Sequence, residues 1–265
     1  MIINADVSNY IWGNSFFHDH YGTSPTWLIT HAYLNFDGSR LQDIHVLNGI
    51  FLFLFLGLFL SEFIKKNLNL SFKAILFSIF IFVLIKYSRL KEFGIDRPVI
   101  LMFCFMIFIY FKYFTNYNDK DFINHFIIFL FISIVITSIK IIYLTILILP
   151  FLVFCKNWKK LLTINRGYFF IFLVTLIFLF KNILSSGCLL FPLKESCLAF
   201  LSWSNYEGAK DISFLAEYFN KSWTSYNGNL SKLEYIKNFN WFNTWFARGK
   251  IEILELFLTV LLVLV

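Results

Sequence analysis

Long apolar runs separated by short polar segments set the pattern of this chain. A helix needs about 20 apolar residues to cross the hydrocarbon core of a bilayer, and about 17 suffice. Runs near this length occupy residues 46–63, 70–85, 99–114, 122–138, 141–154 and 167–184. The fifth run is short and contains Pro150, which predicts a kinked or tilted helix there. The pattern predicts an all-α polytopic transmembrane bundle with about six full spans.

The remaining segments divide the chain into four predicted parts. A seventh apolar run begins at Ile251 and is still apolar at Val265, which predicts the truncated start of a further span in a fragment of a longer protein. Residues 24–36 are apolar and aromatic but too short to span, which predicts an interfacial or re-entrant helix. Residues 1–45 are predicted to form an outer loop with that helix, and residues 46–184 the transmembrane bundle. Residues 185–250 are predicted to form an outer loop with amphipathic helices, and residues 251–265 to begin the last span.

Residues 185–250 carry local signals for helices outside the long runs. Ile212, Leu215 and Phe219 recur at helical spacing, which predicts an amphipathic helix. Ser231 and Glu234 fit a capping box at the start of a second helix. That second helix is predicted to present four apolar side chains on one face, namely Leu233, Ile236, Phe239 and Phe242.

Aromatic and basic residues precede the last apolar run. Trp241 and Trp245 are followed by Arg248 and Lys250. Tryptophan beside cations is typical of a segment at the depth of the lipid headgroups. This segment is therefore predicted to lie on the bilayer surface before the chain enters the membrane.

Composition supports insertion in a membrane rather than solubility. The chain is 58% hydrophobic and 15% charged, whereas soluble domains carry about 25% charged residues. A net charge of +7 could attract nucleic acid, but no basic cluster is interleaved with a binding motif. We therefore expect the lipid bilayer as partner and no nucleic acid.

Lysine and arginine in the short loops predict the orientation. The connections near residues 65–73 and 155–167 are basic, which is typical of the cytoplasmic side. The N-terminal segment, the 86–98 loop and the 185–250 region then share the outer side of the cell inner membrane. Lysine and arginine also outnumber acids in the 86–98 loop, which argues against this orientation.

A polar cluster at His18, Asp19 and His20 falls on the predicted outer side. Two histidines flanking an aspartate could bind a metal or a phosphate, could touch a substrate as part of an outer loop, or could be solvated. Alternate residues do not converge from one helix face, and no third strong ligand lies nearby in sequence. No metal site is assigned.

Asp96 stands just before a predicted span, with Pro98 two residues later. An acid at this place can cap the following helix and favour its positive end, and proline suits a first helical turn. The alternative is a carboxylate that faces a polar lipid headgroup or a cation. Both interpretations stay open at this point.

The end of the sixth run combines polar side chains with a helix break. Asn182, Ser185 and Ser186 precede Cys188, and Cys197 follows nine residues later. An oxidising outer compartment would let the two cysteines pair. The sequence therefore predicts a Cys188–Cys197 disulfide beside this polar turn.

Three stretches resemble a known pattern: HDHYGTSPTW, KEFGIDRPVILMF and KNILSSGCLLFP with a cysteine five residues on. They resemble a group of bacterial multi-pass proteins related to the GT-C class of membrane glycosyltransferases, and the resemblance extends over residues 10–245. It implies transfer of a sugar from a polyprenyl-phosphate donor in cell-envelope glycan synthesis. The chain begins where that group's first acidic loop would already be ending.

The resemblance also implies roles for individual residues. Asp96 matches an acidic Gly-x-Asp position and His18 matches a loop histidine, so these two are the expected catalytic residues. The expected substrate-binding residues are Asp19, His20, Asn182, Ser185 and Ser186. The cofactor is unknown, and a divalent cation against the phosphate stays open.

Two other classes of function stay open. A transporter or flippase would place polar groups near the bilayer midplane, whereas the middles of these runs are almost purely apolar. A non-catalytic membrane protein is the third class. A shared cavity with Asp96, His18 and the turn at Ser185 would favour the enzyme.

Overall fold

The computed structural model of the protein describes residues 44–65, 69–89, 96–114, 121–162 and 165–264. All regular secondary structure in these ranges is helical, apart from an isolated β-bridge between Cys188 and Cys197. The all-α prediction is therefore confirmed for this part of the chain. The predictions for His18, Asp19, His20 and the helix at 24–36 lie outside the described residues.

Clustering of contacts divides the described residues into two compact units, 44–181 and 182–264. The helices that begin in the first unit are α1 Ile44–Phe63, α2 Leu70–Arg89, α3 Asp96–Ile109, α4 Phe122–Ile139, α5 Ile148–Leu161 and α6 Arg166–Ser186. A π-helix, Tyr110–Phe114, continues α3, and a 3-10 helix, Ile141–Leu147, leads into α5. Helix α3 packs against α1, α2 and α4, and Met106 of α3 is fully buried.

Four helical segments are long and apolar enough to cross a membrane: Asp96–Phe114, Phe122–Ile139, Ile141–Leu161 and Arg166–Ser186. These correspond to four of the six predicted spans. The apolar helices Asn48–Phe63 and Leu70–Ile85 are shorter, so six full spans are not confirmed. The span predicted from Ile251 likewise stays a prediction.

The surface of the first unit is apolar in the way a bilayer requires. Phe53, Phe169 and Ile177 are among its exposed large side chains. Hydroxyl groups inside the helices bond the carbonyl four residues earlier, as Ser133 does to Phe129 and Thr175 to Ile171. Such bonds satisfy polar groups where no water is present.

The fifth predicted span differs from its prediction. It extends to Leu161 rather than ending at residue 154, so the predicted loop lysines Lys159 and Lys160 are helical. Non-helical dihedral angles occur at Asn157, with φ −127° and ψ 24°, and not at Pro150. Pro150 is the third residue of α5, close to the change from 3-10 helix to α-helix at Ile148.

The second unit contains α7 Tyr206–Asn220, α8 Lys232–Ile236 and α9 Phe242–Leu264, with 3-10 helices at Lys194–Ser196 and Trp223–Ser225. The amphipathic helix predicted around Ile212 and Leu215 is confirmed as α7. Tyr235 of α8 is fully buried against Trp223 and Tyr226, with ring centroids 5.1 and 4.6 Å away. Its hydroxyl donates to the Lys221 carbonyl at 2.7 Å.

The capping box at Ser231 is confirmed, but the helix it starts is short. Ser231 and Glu234 bond each other's backbone N–H groups, at 3.4 and 3.0 Å. Helix α8 ends at Ile236 because Lys237 is extended, with φ −83° and ψ 156°. Asn238 and Phe239 then adopt positive φ, 52° and 60°, which a right-handed helix does not allow.

The prediction that the second helix presents four apolar side chains on one face is therefore wrong. Phe239 lies in the left-handed turn, and Phe242 is already the first residue of α9. Helix α9 carries Trp245 and Lys250 as well as the run that begins at Ile251. The predicted surface segment and the predicted last span thus belong to one helix.

Candidate functional site

Asp96 lies at one end of the helices of the first unit, next to a lysine and a tyrosine. Its carboxylate Oδ1 accepts a hydrogen bond from the Lys140 ammonium at 3.0 Å and one from the Tyr143 hydroxyl at 3.3 Å. The Lys140 ammonium also lies 5.9 Å from the centre of the Tyr143 ring. We call these three residues the Asp96 cluster.

Local backbone structure explains how the Asp96 cluster forms. Asp96 begins α3, where the helix dipole favours a negative charge. Lys140 is the one extended residue between α4 and the following 3-10 helix, with φ −151° and ψ 115°. The Tyr143 N–H donates to the Lys140 carbonyl at 3.0 Å, which fixes the tyrosine one turn after the lysine.

The Asp96 cluster is partly exposed. The side chains of Lys140 and Asp96 are 45% and 21% exposed, so the pair lies at the surface rather than in the packed interior. A partly exposed ion pair contributes only about 0–1 kcal/mol to stability. The pair is therefore in contact with the surface and is not needed for folding.

Asp96 begins α3 and its carboxylate also has a cationic partner, so the structure is compatible with both interpretations of this residue. The cation beside the carboxylate is Lys140, a side chain of the same unit. Lys140 and Tyr143 were not assigned to a site from the sequence. The sequence signal for Lys140 was its position between the apolar runs 122–138 and 141–154. A charged residue within a membrane-spanning region often has a function.

The polar turn after α6 is held together by its own side chains. The hydroxyls of Ser185 and Ser186 both donate to the Asn182 carbonyl, at 3.1 and 2.9 Å. The Asn182 amide donates to the Leu189 carbonyl at 2.9 Å. All three side chains are buried, so each has a structural role in the turn, and their contact with a substrate stays a prediction.

The disulfide predicted from the sequence, Cys188–Cys197, is present in this turn. The Gly187 carbonyl accepts from the Leu198 N–H at 2.9 Å, which closes the loop next to the disulfide. Gly187 has φ +70°, and a Cβ atom there would lie 2.5 Å from the Ser204 Cα. Glycine is therefore required on both conformational and steric grounds.

A second charged cluster lies at the other end of α3. Glu62 Oε1 accepts from the ammonium groups of Lys65 at 2.6 Å and Lys112 at 2.7 Å. Lys112 belongs to the π-helix, a backbone form that is frequent at functional sites. Tyr113, next to it, stacks on His125 of α4 with centroids 3.5 Å apart. No sequence pattern predicted this cluster, whose members lie up to 50 residues apart.

A metal centre is not formed within the described ranges. No three His, Cys, Asp or Glu side chains of those ranges lie close enough together to hold an ion. His18, the expected partner of Asp96, falls outside them, so the shared site of these two residues stays a prediction.

Comparison with known proteins identifies a family but no function. No curated protein and no solved structure matches the chain. A family model matches residues 9–265, nearly the whole sequence. The chain therefore belongs to the family described as a domain of unknown function, DUF8201.

Proposed function

We propose that this protein is a multi-pass glycosyltransferase of the cell inner membrane, similar to the GT-C class. It would move a sugar from a polyprenyl-phosphate carrier to an acceptor in cell-envelope glycan synthesis. The observation that supports the proposal is the exposed Asp96 cluster at one end of a set of apolar helices. At that height a lipid-linked phosphate and a sugar can both be reached.

The proposed reaction uses the carboxylate as general base. An acceptor hydroxyl oxygen attacks the anomeric carbon while the bond from that carbon to the phosphate oxygen breaks. Asp96 takes the hydroxyl proton, and the electron pair of the broken bond stays on the phosphate. Lys140 stabilises the charge that develops on the leaving phosphate.

Lys140 can contact both the carboxylate and the donor. In the free protein its ammonium lies 3.0 Å from the carboxylate of Asp96. A donor phosphate competes for this ammonium, so donor binding loosens the ion pair and leaves the carboxylate able to accept a hydrogen bond from the acceptor hydroxyl. Tyr143 keeps the carboxylate oriented through its hydroxyl.

The proposal is tested by sugar transfer in membranes that contain the full chain. The probes are radiolabelled polyprenyl-phosphate sugars, and the readout is label transferred to an acceptor. Asp96→Asn and Lys140→Met should each lower transfer at least about 100-fold, the usual size of a general-base or charge-stabilising contribution. Lys210→Ala is the control, since Lys210 lies on α7, in the other unit, and pairs with Glu207 at 3.6 Å.

Two results would refute the enzyme. Transfer that is unchanged in Asp96→Asn, at equal amounts of inserted protein, removes the proposed base. Movement of labelled lipid across the vesicle membrane without transfer of the sugar would instead favour a flippase.

A further inference from the structure

The charged cluster at Glu62 adjoins an apolar groove, and the two features together indicate a ligand. Glu62 lies in the last turn of α1, and Lys112 lies 16 residues after Asp96 on the α3 segment. At 1.5 Å per residue this separates the Glu62 cluster from the Asp96 cluster by about 24 Å. Binding at this second end is therefore independent of the proposed sugar transfer at Asp96.

The cluster carries an excess positive charge that can reach outward. Two ammonium groups face one carboxylate. Each ammonium has three donors and gives one to Glu62 Oε1, so further donors remain for an anion. The Lys65 side chain is 56% exposed. Lys112 is held in place over the rings of Phe108 and Tyr113, at 5.1 and 5.0 Å.

The second oxygen of Glu62 lacks a donor. Glu62 is only 9% exposed, and its Oε2 atom is buried with no hydrogen-bond partner among the described residues. A buried carboxylate oxygen that is left unmatched costs free energy. The site therefore suits a ligand that combines an anion for the lysines with an N–H or O–H donor for Glu62.

An apolar groove of about 190 Å³ lies between α1 and α2 beside this cluster. Its lining consists of six apolar side chains, namely Phe59, Leu60, Phe63, Leu76, Phe77 and Phe80. The Phe59 ring lies 5.4 Å from the Phe108 ring, on which the Lys112 ammonium rests. The groove and the charged cluster are thus neighbours, linked through this ring contact, and can hold the two ends of one amphiphilic molecule.

We propose that this end of the first unit binds a phospholipid whose headgroup carries a hydrogen-bond donor, as in phosphatidylethanolamine or phosphatidylglycerol. The lipid phosphate contacts Lys65 and Lys112, the headgroup donor bonds Glu62 Oε2, and one acyl chain fills the groove. Basic pockets between membrane helices bind phosphate headgroups in this way. Free phosphate would use the lysines but gain nothing from the apolar groove.

The headgroup requirement is tested by thermal unfolding of the delipidated full chain in detergent. The added probes are phosphatidylethanolamine, phosphatidylglycerol and phosphatidylcholine with the same acyl chains, and inorganic phosphate. A saturating lipid should raise the Tm by about 5 °C or more if it carries a donor. Phosphatidylcholine, whose headgroup has no N–H or O–H donor, should give less than half of that rise.

Matched variants locate the site. Lys65→Ala should weaken the apparent affinity about fivefold, the effect of one lysine near an anionic headgroup. Leu60→Trp changes a half-exposed side chain of the groove and should lower the shift by occupying the place of the acyl chain. Lys210→Ala is the control, because its side chain is also 56% exposed and also pairs with a carboxylate three residues away.

Three outcomes would overturn the proposal. If phosphatidylcholine stabilises the chain equally, the headgroup donor has no role in binding. If inorganic phosphate stabilises the chain equally, the cluster binds an ion rather than a lipid. Loss of affinity in Lys65→Ala that is no larger than in Lys210→Ala places the lipid elsewhere. The comparison of the lipids uses the wild-type chain, so it still decides the proposal if a variant fails to fold.

Discussion

Replacement of Gly187 by alanine tests whether the turn after α6 is a rigid part of the structure. Gly187 has φ +70°, and an added Cβ would lie 2.5 Å from the Cα and 3.0 Å from the backbone nitrogen of Ser204. The left-handed conformation costs a non-glycine residue about 1–2 kcal/mol. The contact meets backbone that is held by the bond from the Asn205 N–H to the Ser186 carbonyl at 3.0 Å, and overpacking of this kind adds about 1–3 kcal/mol.

The expected loss for Gly187→Ala is therefore about 2–5 kcal/mol, the sum of the two effects. At about 2–4 °C per kcal/mol for a chain of this size, the Tm should fall by at least about 4 °C. The assay is thermal unfolding in detergent micelles, with hydrogen exchange of the amides around residues 186–205 as a local readout. Those amides should exchange faster, since the bonds that close the turn are strained.

Two further variants separate the causes. Gly187→Asn accepts positive φ more readily but keeps the Cβ contact, so it should lose only the steric part of the stability. Gly57→Ala is the matched control, because a Cβ there meets nothing within 4 Å and alanine favours the helix by about 0.5–1 kcal/mol. If Gly187→Ala and Gly57→Ala unfolded at the same temperature, the rigid turn would be refuted.

Two other predictions concern the second unit. Hydrogen bonds from the Ser231 side chain and backbone lower the pKa of Glu234 below its ordinary 4.5, so the capping box should stabilise α8 above pH 4.5 and lose this effect as the pH falls through the lowered pKa. A titration of Tm should therefore show a difference between wild type and Glu234→Gln that disappears in acid, and a difference that persists there would contradict the cause. Phe239→Gly should stabilise the chain by about 0.5–1 kcal/mol, because the 73% exposed phenylalanine has φ 60°. Phe246→Gly, inside α9, should instead destabilise the chain. If both variants changed the free energy of unfolding in the same direction, backbone strain at Phe239 would be refuted.

The sequence by itself determined the features that depend on neighbouring residues. The length of the apolar runs predicted about six spans, and four of them are helices long enough to cross a membrane among the described residues, because span length is set by the thickness of the hydrocarbon core. The three-residue spacing of Ser231 and Glu234 predicted the capping box, since the two bonds form within a single turn. The pairing of Cys188 with Cys197 followed from their short separation beyond a helix end.

Only the tertiary structure decided which distant groups meet. Lys140 contacts Asp96 across 44 residues, and Lys112 contacts Glu62 across 50. Such pairs depend on how α1, α3 and α4 rotate against one another, which apolar spacing leaves undetermined when a helix is hydrophobic on all sides. The early end of α8 likewise came from the extended Lys237 and the left-handed angles at Asn238 and Phe239, which no residue type in that segment demands. Features formed by residues close in sequence can be predicted from the sequence alone. The two charged clusters form only when the helices pack against one another.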